Sequence, residues 1–223
     1  MKTLTIKIYY GDLGDHLLHS HLPKLAKQKF EYDKVFISNY SNYNNPNTKM
    51  LVWEYNPFID GFNNEDHDYP KFGSVPPGAN ILDGVSMFYG LDDGERYREP
   101  EIYYRPRIIP EMLNAVVFEP NHSNAYGIPT IEQYEEYFKM NNINITHQMK
   151  LLHGSTKSIR TEITPSGLEE LCDVIYSCKL LYCFTSGIAT LSAALCKPTT
   201  VLFVDGINLM FHHSKLHTYI KVI

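Results

Sequence analysis

Two short turns carry the residue types from which chemistry can be built. Gly11-Asp12-Leu13-Gly14-Asp15 follows an alternating β-branched run, Leu4-Thr5-Ile6-Lys7-Ile8-Tyr9-Tyr10, and precedes a helical pattern. Thr185-Ser186-Gly187 follows the apolar run Leu180-Leu181-Tyr182-Cys183-Phe184 and precedes a helix of small residues that runs through Leu195. Each reads as strand, turn, helix. The first N–H groups of a helix lack intrahelical partners and carry a partial positive charge, so a Gly/Ser/Thr turn at that point can hold a phosphate. Thr185 and Ser186 add hydroxyl donors, and Gly187 lets a diphosphate approach the backbone. Asp12 and Asp15 repel phosphate, which suits the first turn to a hydroxyl-rich acceptor or to removal of a proton from it. A second reading fits both turns. Ser, Thr and Asp are also favoured helix N-caps, and spacing alone does not separate capping from chemistry.

The elements around the turns follow from periodicity. Leu18, Leu22, Leu25 and Ala26 share one helical face, and Pro23 either kinks that helix or marks a late start of its regular part. Strands are expected at 34–38 and 50–54, separated by a polar loop at 39–47. Residues 63–77 show no period. A helix is expected over 81–90, then an extended, proline-stiffened connector over 103–110. The second half repeats the grammar: a strand at 115–119, a turn-rich loop to Pro129, and a helix opened by the capping-box sequence Thr130-Ile131-Glu132-Gln133 with Ile131, Tyr134, Tyr137 and Phe138 as its apolar stripe. A short strand is read at 144–146. The next helix has the face Leu168, Leu171, Cys172, Ile175 and Cys178, with Pro165 in its first turn, and strands follow at 180–184 and 200–204. This alternation predicts an α/β protein with mostly parallel sheets, divided into residues 1–108 and 109–223.

Bulk properties narrow the function. The chain has 223 residues, 43% hydrophobic and 20% charged, as in ordinary globular proteins, and a net charge of −5 gives no basic field for nucleic acid. No apolar stretch is long enough for a membrane span and the N-terminus lacks the apolar segment of a signal peptide, so a cytoplasmic protein with at most peripheral membrane contact is expected. Cys172, Cys178, Cys183 and Cys196 lie in apolar runs without CxxC pairing and read as free buried thiols. His16, His19 and His21 match no ligand pattern and read as solvated helix residues. No metal site or cofactor is expected.

With these residues in place the sequence resembles family 9 glycosyltransferases, the ADP-heptose:lipopolysaccharide heptosyltransferase-like enzymes. The likeness lies in the segment from Gly11 through Asp15 and His16 to Pro23, and in Leu168-Glu169-Glu170-Leu171 through Thr185-Ser186-Gly187 to Pro198. Asn56-Pro57-Phe58-Ile59-Asp60 and Val116-Val117-Phe118-Glu119-Pro120 fall between them in the family's order. The resemblance implies a GT-B fold of two Rossmann-like domains facing a central cleft, the first on the acceptor side and the second binding the nucleotide sugar. It also implies transfer with inversion from a nucleotide-diphospho-sugar to a glycan or glycolipid hydroxyl, with no required metal. Asp15 then matches the family's catalytic base, with Gly14, Asp12 and His16 beside the substrate. Ser186 and Gly187 match the donor-phosphate turn, with Thr185, Thr190, Asn121 and His122 as further donor contacts. The chain departs from the family at three places: Thr185 replaces a common acidic residue, Thr190 a common His, and the loop 121–129 offers His122 where a basic residue is usual.

Those departures motivate an alternative, a non-catalytic nucleotide-sugar-binding or scaffold protein of the same fold. A nucleotide-sugar epimerase shares the two-lobed fold but needs several acid/base residues, and no such set is identifiable in the sequence.

Overall fold

The β-branched run at the N-terminus forms β1 (Thr3–Ile6), and β2 (Lys34–Ser38) lies beside it in parallel, with the fully buried Ile6 and Ile37 aligned. Parallel neighbours need a crossover, and the leucine stripe supplies it as two short helices, α1 (Leu13–His19) and α2 (Leu22–Lys29). The break between them has a local cause. Ser20 directs its N–H and its hydroxyl to the Leu17 carbonyl, at 3.1 and 2.7 Å, and Pro23 sits in the first turn of α2, where its missing N–H is not needed. The regular helix therefore starts late, one of the two outcomes expected of Pro23.

Residues 50–54 are not a strand. They belong to a π-helical segment, Lys49–Glu54, in which Leu51, Val52 and Trp53 are all fully buried. A short apolar run enclosed on every side lacks the period that separates strand from helix. The third strand, β3 (Gly61–Asn63), pairs parallel to β2 and completes a sheet of order β1-β2-β3, and α3 (Ile81–Phe88) follows it, capped by Asn80 and Asp83. The expected helix over 81–90 thus ends two residues early, at a left-handed Gly90.

The second sheet is six-stranded and parallel, in the order β6-β5-β4-β7-β8-β9. Its strands are β4 (Val116–Glu119), β5 (His147–Met149), β6 (Thr161–Ile163), β7 (Leu180–Phe184), β8 (Thr200–Phe203) and β9 (Thr218–Lys221). The helices are α4 (Ile131–Met140), α5 (Leu168–Ser177) and α6 (Gly187–Ala194). This is the doubly wound order, built outward in both directions from β4 and β7. One face carries an aromatic core of Phe118, Tyr134, Phe138, Tyr182 and Phe184 with Leu202 and Val222; Cys183 and Val201 pack with Ala189 of α6 in a separate cluster.

Several expectations need correction here. The strand read at 144–146 lies at His147–Met149, and β6 and β9 were not anticipated. The Thr130/Gln133 capping box forms, but Ile131 is exposed and the buried stripe of α4 is Tyr134 and Phe138. Pro165 precedes the α5 N-cap, Gly167, and is outside the first turn. Cys172, Cys178 and Cys183 are buried and free, whereas Cys196 is exposed with a left-handed φ of 55°, just past α6.

The computed structural model describes residues 1–68, 75, 78–122, 127–150 and 160–223, which form two compact units, Met1–Arg105 and Pro106–Ile223. Parts of the aperiodic segment 63–77 and of the loop 120–129 lie outside the described residues. The start of the second unit is clamped to α5: Arg107 gives its N–H and Nε–H to the buried Asp173 carboxylate, at 2.8 and 2.9 Å, and the Ile109 N–H reaches the Ser177 hydroxyl at 2.8 Å. Among the described residues no helix is long and apolar enough to cross a membrane.

Candidate functional site

In the first unit the Gly11–Asp15 turn caps α1 from within. Asp12 is the extended N-cap residue and its N–H donates to Asp15 Oδ2 at 3.1 Å. Asn44 clasps the turn from outside: its Nδ2 donates to Asp12 Oδ1 at 2.7 Å and its N–H to the Gly11 carbonyl at 2.9 Å. A Cβ on residue 11 would stand 2.9 Å from the Asn44 nitrogen, so Gly11 is what admits the clasp. Asp12 is thereby exposed but committed to Asn44, whereas Asp15 is half-buried. Burial lifts the Asp15 carboxyl to about 6, opposed by the hydrogen bond from the Asp12 backbone and aided by the nearby Asp12 charge. A carboxylate in that range is a better proton acceptor near neutrality than an ordinary aspartate.

The histidines behind it are not solvated. His16, His19 and His21 are all buried, each held below its usual range, His16 and His19 at about 4 and His21 at about 3, first by desolvation. The Trp53 indole N–H donates to His16 Nδ1 at 2.8 Å, which fixes the neutral tautomer whose Nε2–H donates to the Asn42 carbonyl at 2.8 Å. Tyr43 stacks on the ring, with centroids 4.5 Å apart. His16 therefore positions the 39–47 loop against α1 and has no nitrogen left for a substrate. His19 bonds the Asp15 carbonyl at 2.7 Å, and His21 Nε2 meets the Ser86 hydroxyl at 2.8 Å. Periodicity missed this network because a histidine on an apolar face reads as polar in a sequence.

In the second unit the expected donor residues converge. Where a doubly wound sheet reverses direction, the loops leaving the two central strands part and open a crevice at their carboxyl ends. Here those strands are β4, which runs into Pro120, Asn121 and His122, and β7, which runs into Thr185 and Ser186. The His122 ring lies 6.0 Å from that of Phe184, and Asn121 Nδ2 donates to the Lys150 carbonyl at the end of β5 at 2.9 Å. Ser186 is the extended N-cap of α6, its hydroxyl accepting from the Ile188 N–H at 3.3 Å. Capping is real here, and it leaves Gly187 at the first helical position. Thr190 is different. It is buried one turn inside α6.

Two residues at this edge escaped sequence reasoning. Lys150 is exposed at the end of β5 and supplies a cation beside a loop whose described residues hold only His122. Glu119 closes β4, is 3% exposed, and accepts the Asn121 N–H on Oε1 at 3.1 Å; burial pushes its carboxyl up to about 7. A carboxylate ending an apolar strand just before a proline was the available signal.

No family model and no curated protein matches the chain. Solved structures do. A family 9 glycosyltransferase from Veillonella parvula aligns over 99% of this chain and 86% of its own, with a TM-score of 0.64 at 12% identity. E. coli ADP-heptose LPS heptosyltransferase II aligns over 100% and 91%, with a TM-score of 0.63 at 12% identity. TibC of enterotoxigenic E. coli, an iron-containing dodecameric heptosyltransferase seen with ADP-D-β-D-heptose, aligns over 98% and 63%, with a TM-score of 0.67 at 13% identity. The chain has the α/β fold of the GT-B type that family 9 glycosyltransferases adopt.

Proposed function

We propose that this protein is an inverting, metal-independent glycosyltransferase that moves a sugar from a nucleotide-diphospho-sugar to a glycan or glycolipid hydroxyl. The observation that carries the reading is the convergence of Asn121, His122, Thr185, Ser186 and Gly187 on the reversal point of the second sheet, with the α6 N-terminus among them. Aligned N–H groups there stabilise a departing diphosphate without a cation, and Lys150 adds charge nearby. The neighbours whose names include a heptose donor share this fold, which is consistent with a nucleotide-sugar donor and leaves its sugar open.

Asp15 is the general base in this reading. Attack at the anomeric carbon requires the acceptor hydroxyl to lose its proton as the new bond forms, and a half-buried carboxylate at about 6 accepts it. Asp12, held by Asn44, orients the turn. The first unit takes the acceptor and the second the donor, and residues 39–47 and 63–77 are assigned to acceptor contacts.

The test is turnover with a panel of nucleotide sugars and glycan acceptors, followed by release of nucleoside diphosphate with and without chelator. Acceptor-dependent release with inverted product, unchanged by chelator, is the expected result. Binding without turnover supports the non-catalytic alternative, which the sparse cations of the described 121–129 residues favour. Loss of turnover with chelator contradicts metal independence, a relevant outcome given that TibC is described as iron-containing.

A further inference from the structure

The reversal point of the second sheet holds two buried polar atoms for which the fold provides nothing. Glu119 Oε2 and the Thr185 hydroxyl are both shielded from solvent and both lack a hydrogen-bond partner. A buried polar group left unsatisfied costs about 1–3 kcal/mol, so two of them at the ends of neighbouring strands need an explanation. They belong to one place. Glu119, the last residue of β4, is aligned with Cys183 across the β4–β7 pair, and Thr185 stands just past the end of β7, two residues after Cys183. Thr185 is also followed directly by the α6 N-cap. The ends of the two strands thus bring a carboxyl and a hydroxyl to the turn that the transfer reading assigns to the donor diphosphate.

An ionised carboxylate at that point would repel a diphosphate; a neutral one has an O–H to give. Burial favours the neutral form, against the Asn121 side-chain and backbone hydrogen bonds, which favour the ionised one. Of the groups facing Glu119, the Cys183 thiol on β7 is itself held neutral by burial, and the first turn of α6 contributes no acidic residue. Asn121 donates from its backbone to Oε1, and the remaining charged or titratable groups at this edge are His122 and Lys150.

Building on the transfer reading, we infer that Glu119 and Thr185 bind the diphosphate of the nucleotide donor, the Glu119 carboxyl acting in its neutral form as a hydrogen-bond donor. Oε1 keeps the Asn121 N–H while Oε2–H turns to a phosphate oxygen, and the Thr185 hydroxyl donates beside it. Glu119 then makes donor binding depend on pH through the protein and not only through the nucleotide.

The experiment is calorimetric titration of ADP, with UDP as a second nucleoside diphosphate, at pH 6 and pH 8 in the wild type, Glu119→Gln and Thr185→Val. With its carboxyl titrating at about 7, the wild type is expected to bind about tenfold more weakly at pH 8 than at pH 6, relative to Glu119→Gln, whose amide donates at both values. The comparison cancels the titration of the nucleotide and of every group that both proteins share. Thr185→Val should weaken binding at both pH values and leave the wild-type pH dependence in place. Equal pH dependence in the wild type and Glu119→Gln overturns the role of Glu119 while leaving the transfer reading standing. Absence of ADP and UDP binding by the wild type at both pH values overturns the transfer reading and this assignment with it. Should Glu119→Gln fail to fold, carbon-detected NMR of the wild-type carboxyl decides: saturation with ADP must raise its titration midpoint, and an unchanged or lowered midpoint refutes the inference.

Discussion

The two strand-turn-helix junctions have the same grammar and opposite chemistry. Both helices are capped by their own turns, α1 through Asp12 and Asp15 and α6 through Ser186. Capping is thus common to both places. What separates the junctions is what capping leaves over. In the first, Asn44 occupies one carboxylate and a half-buried second one remains, backed by a layer of neutral histidines. In the second, hydroxyls, a glycine and a carboxyl raised by burial remain, with no acidic residue in the first turn of α6. In the proposed reading, one junction takes a proton and the other holds an anion.

The largest expected difference between the units is their response to acid. His16, His19 and His21 are depressed from the ordinary value of about 6.5 to between about 3 and 4, so their contribution is fully present above pH 6.5 and is lost as pH falls toward 4. At pH 5 each depressed histidine removes about 2 kcal/mol. The raised carboxyls act in the other sense, favouring the fold at low pH, but the first unit sets only Asp15 against three histidines, whereas the second sets Glu119 against two, His212 and His213. Urea unfolding followed by hydrogen exchange at pH 7 and pH 5 should show the first unit losing more protection; equal loss in both units would remove this contrast.

Next in size is catalysis. Asp15→Asn should lower turnover by about 10²- to 10⁴-fold with donor affinity nearly intact, and Asp12→Asn should cost less. The reverse order in steady-state kinetics would move the base to Asp12. For the second junction, Gly187→Val should weaken nucleoside diphosphate binding by about tenfold, near 1.4 kcal/mol, without lowering the thermal midpoint in proportion. Smallest is Ser186→Ala, which removes the α6 cap and should cost about 1 kcal/mol of stability in chemical denaturation. An unchanged midpoint there would mean that the Ile188 N–H finds another partner.

Much of this contrast was legible before any coordinates. The two turns, the capping box at Thr130, the parallel alternation and the helix following Ser186 rest on local chemistry, and local chemistry is what a sequence displays. The failures have a common physical origin in burial. Leu51, Val52 and Trp53 are enclosed on all sides and lose the period that marks a strand or a helix. His16 in α1 looks solvated until Trp53 and the Asn42 carbonyl, distant in sequence, satisfy its two nitrogens. Strands as short as β3 and β6 are held by their neighbours in the sheet and advertise little by themselves.

Trp53 is the protein's only tryptophan, and its indole N–H ends on the ring of His16, the residue directly after the proposed base. The molecule thus carries an intrinsic optical reporter confined to one of its two units. Emission excited at the indole band comes from beside the α1 head and from nowhere else in the chain. Protonation of the imidazole, or any loosening of the loop that accepts its Nε2–H, alters that signal with no label attached. Ligands that engage the first unit can be followed by light, while those that engage only the second leave the indole a silent witness.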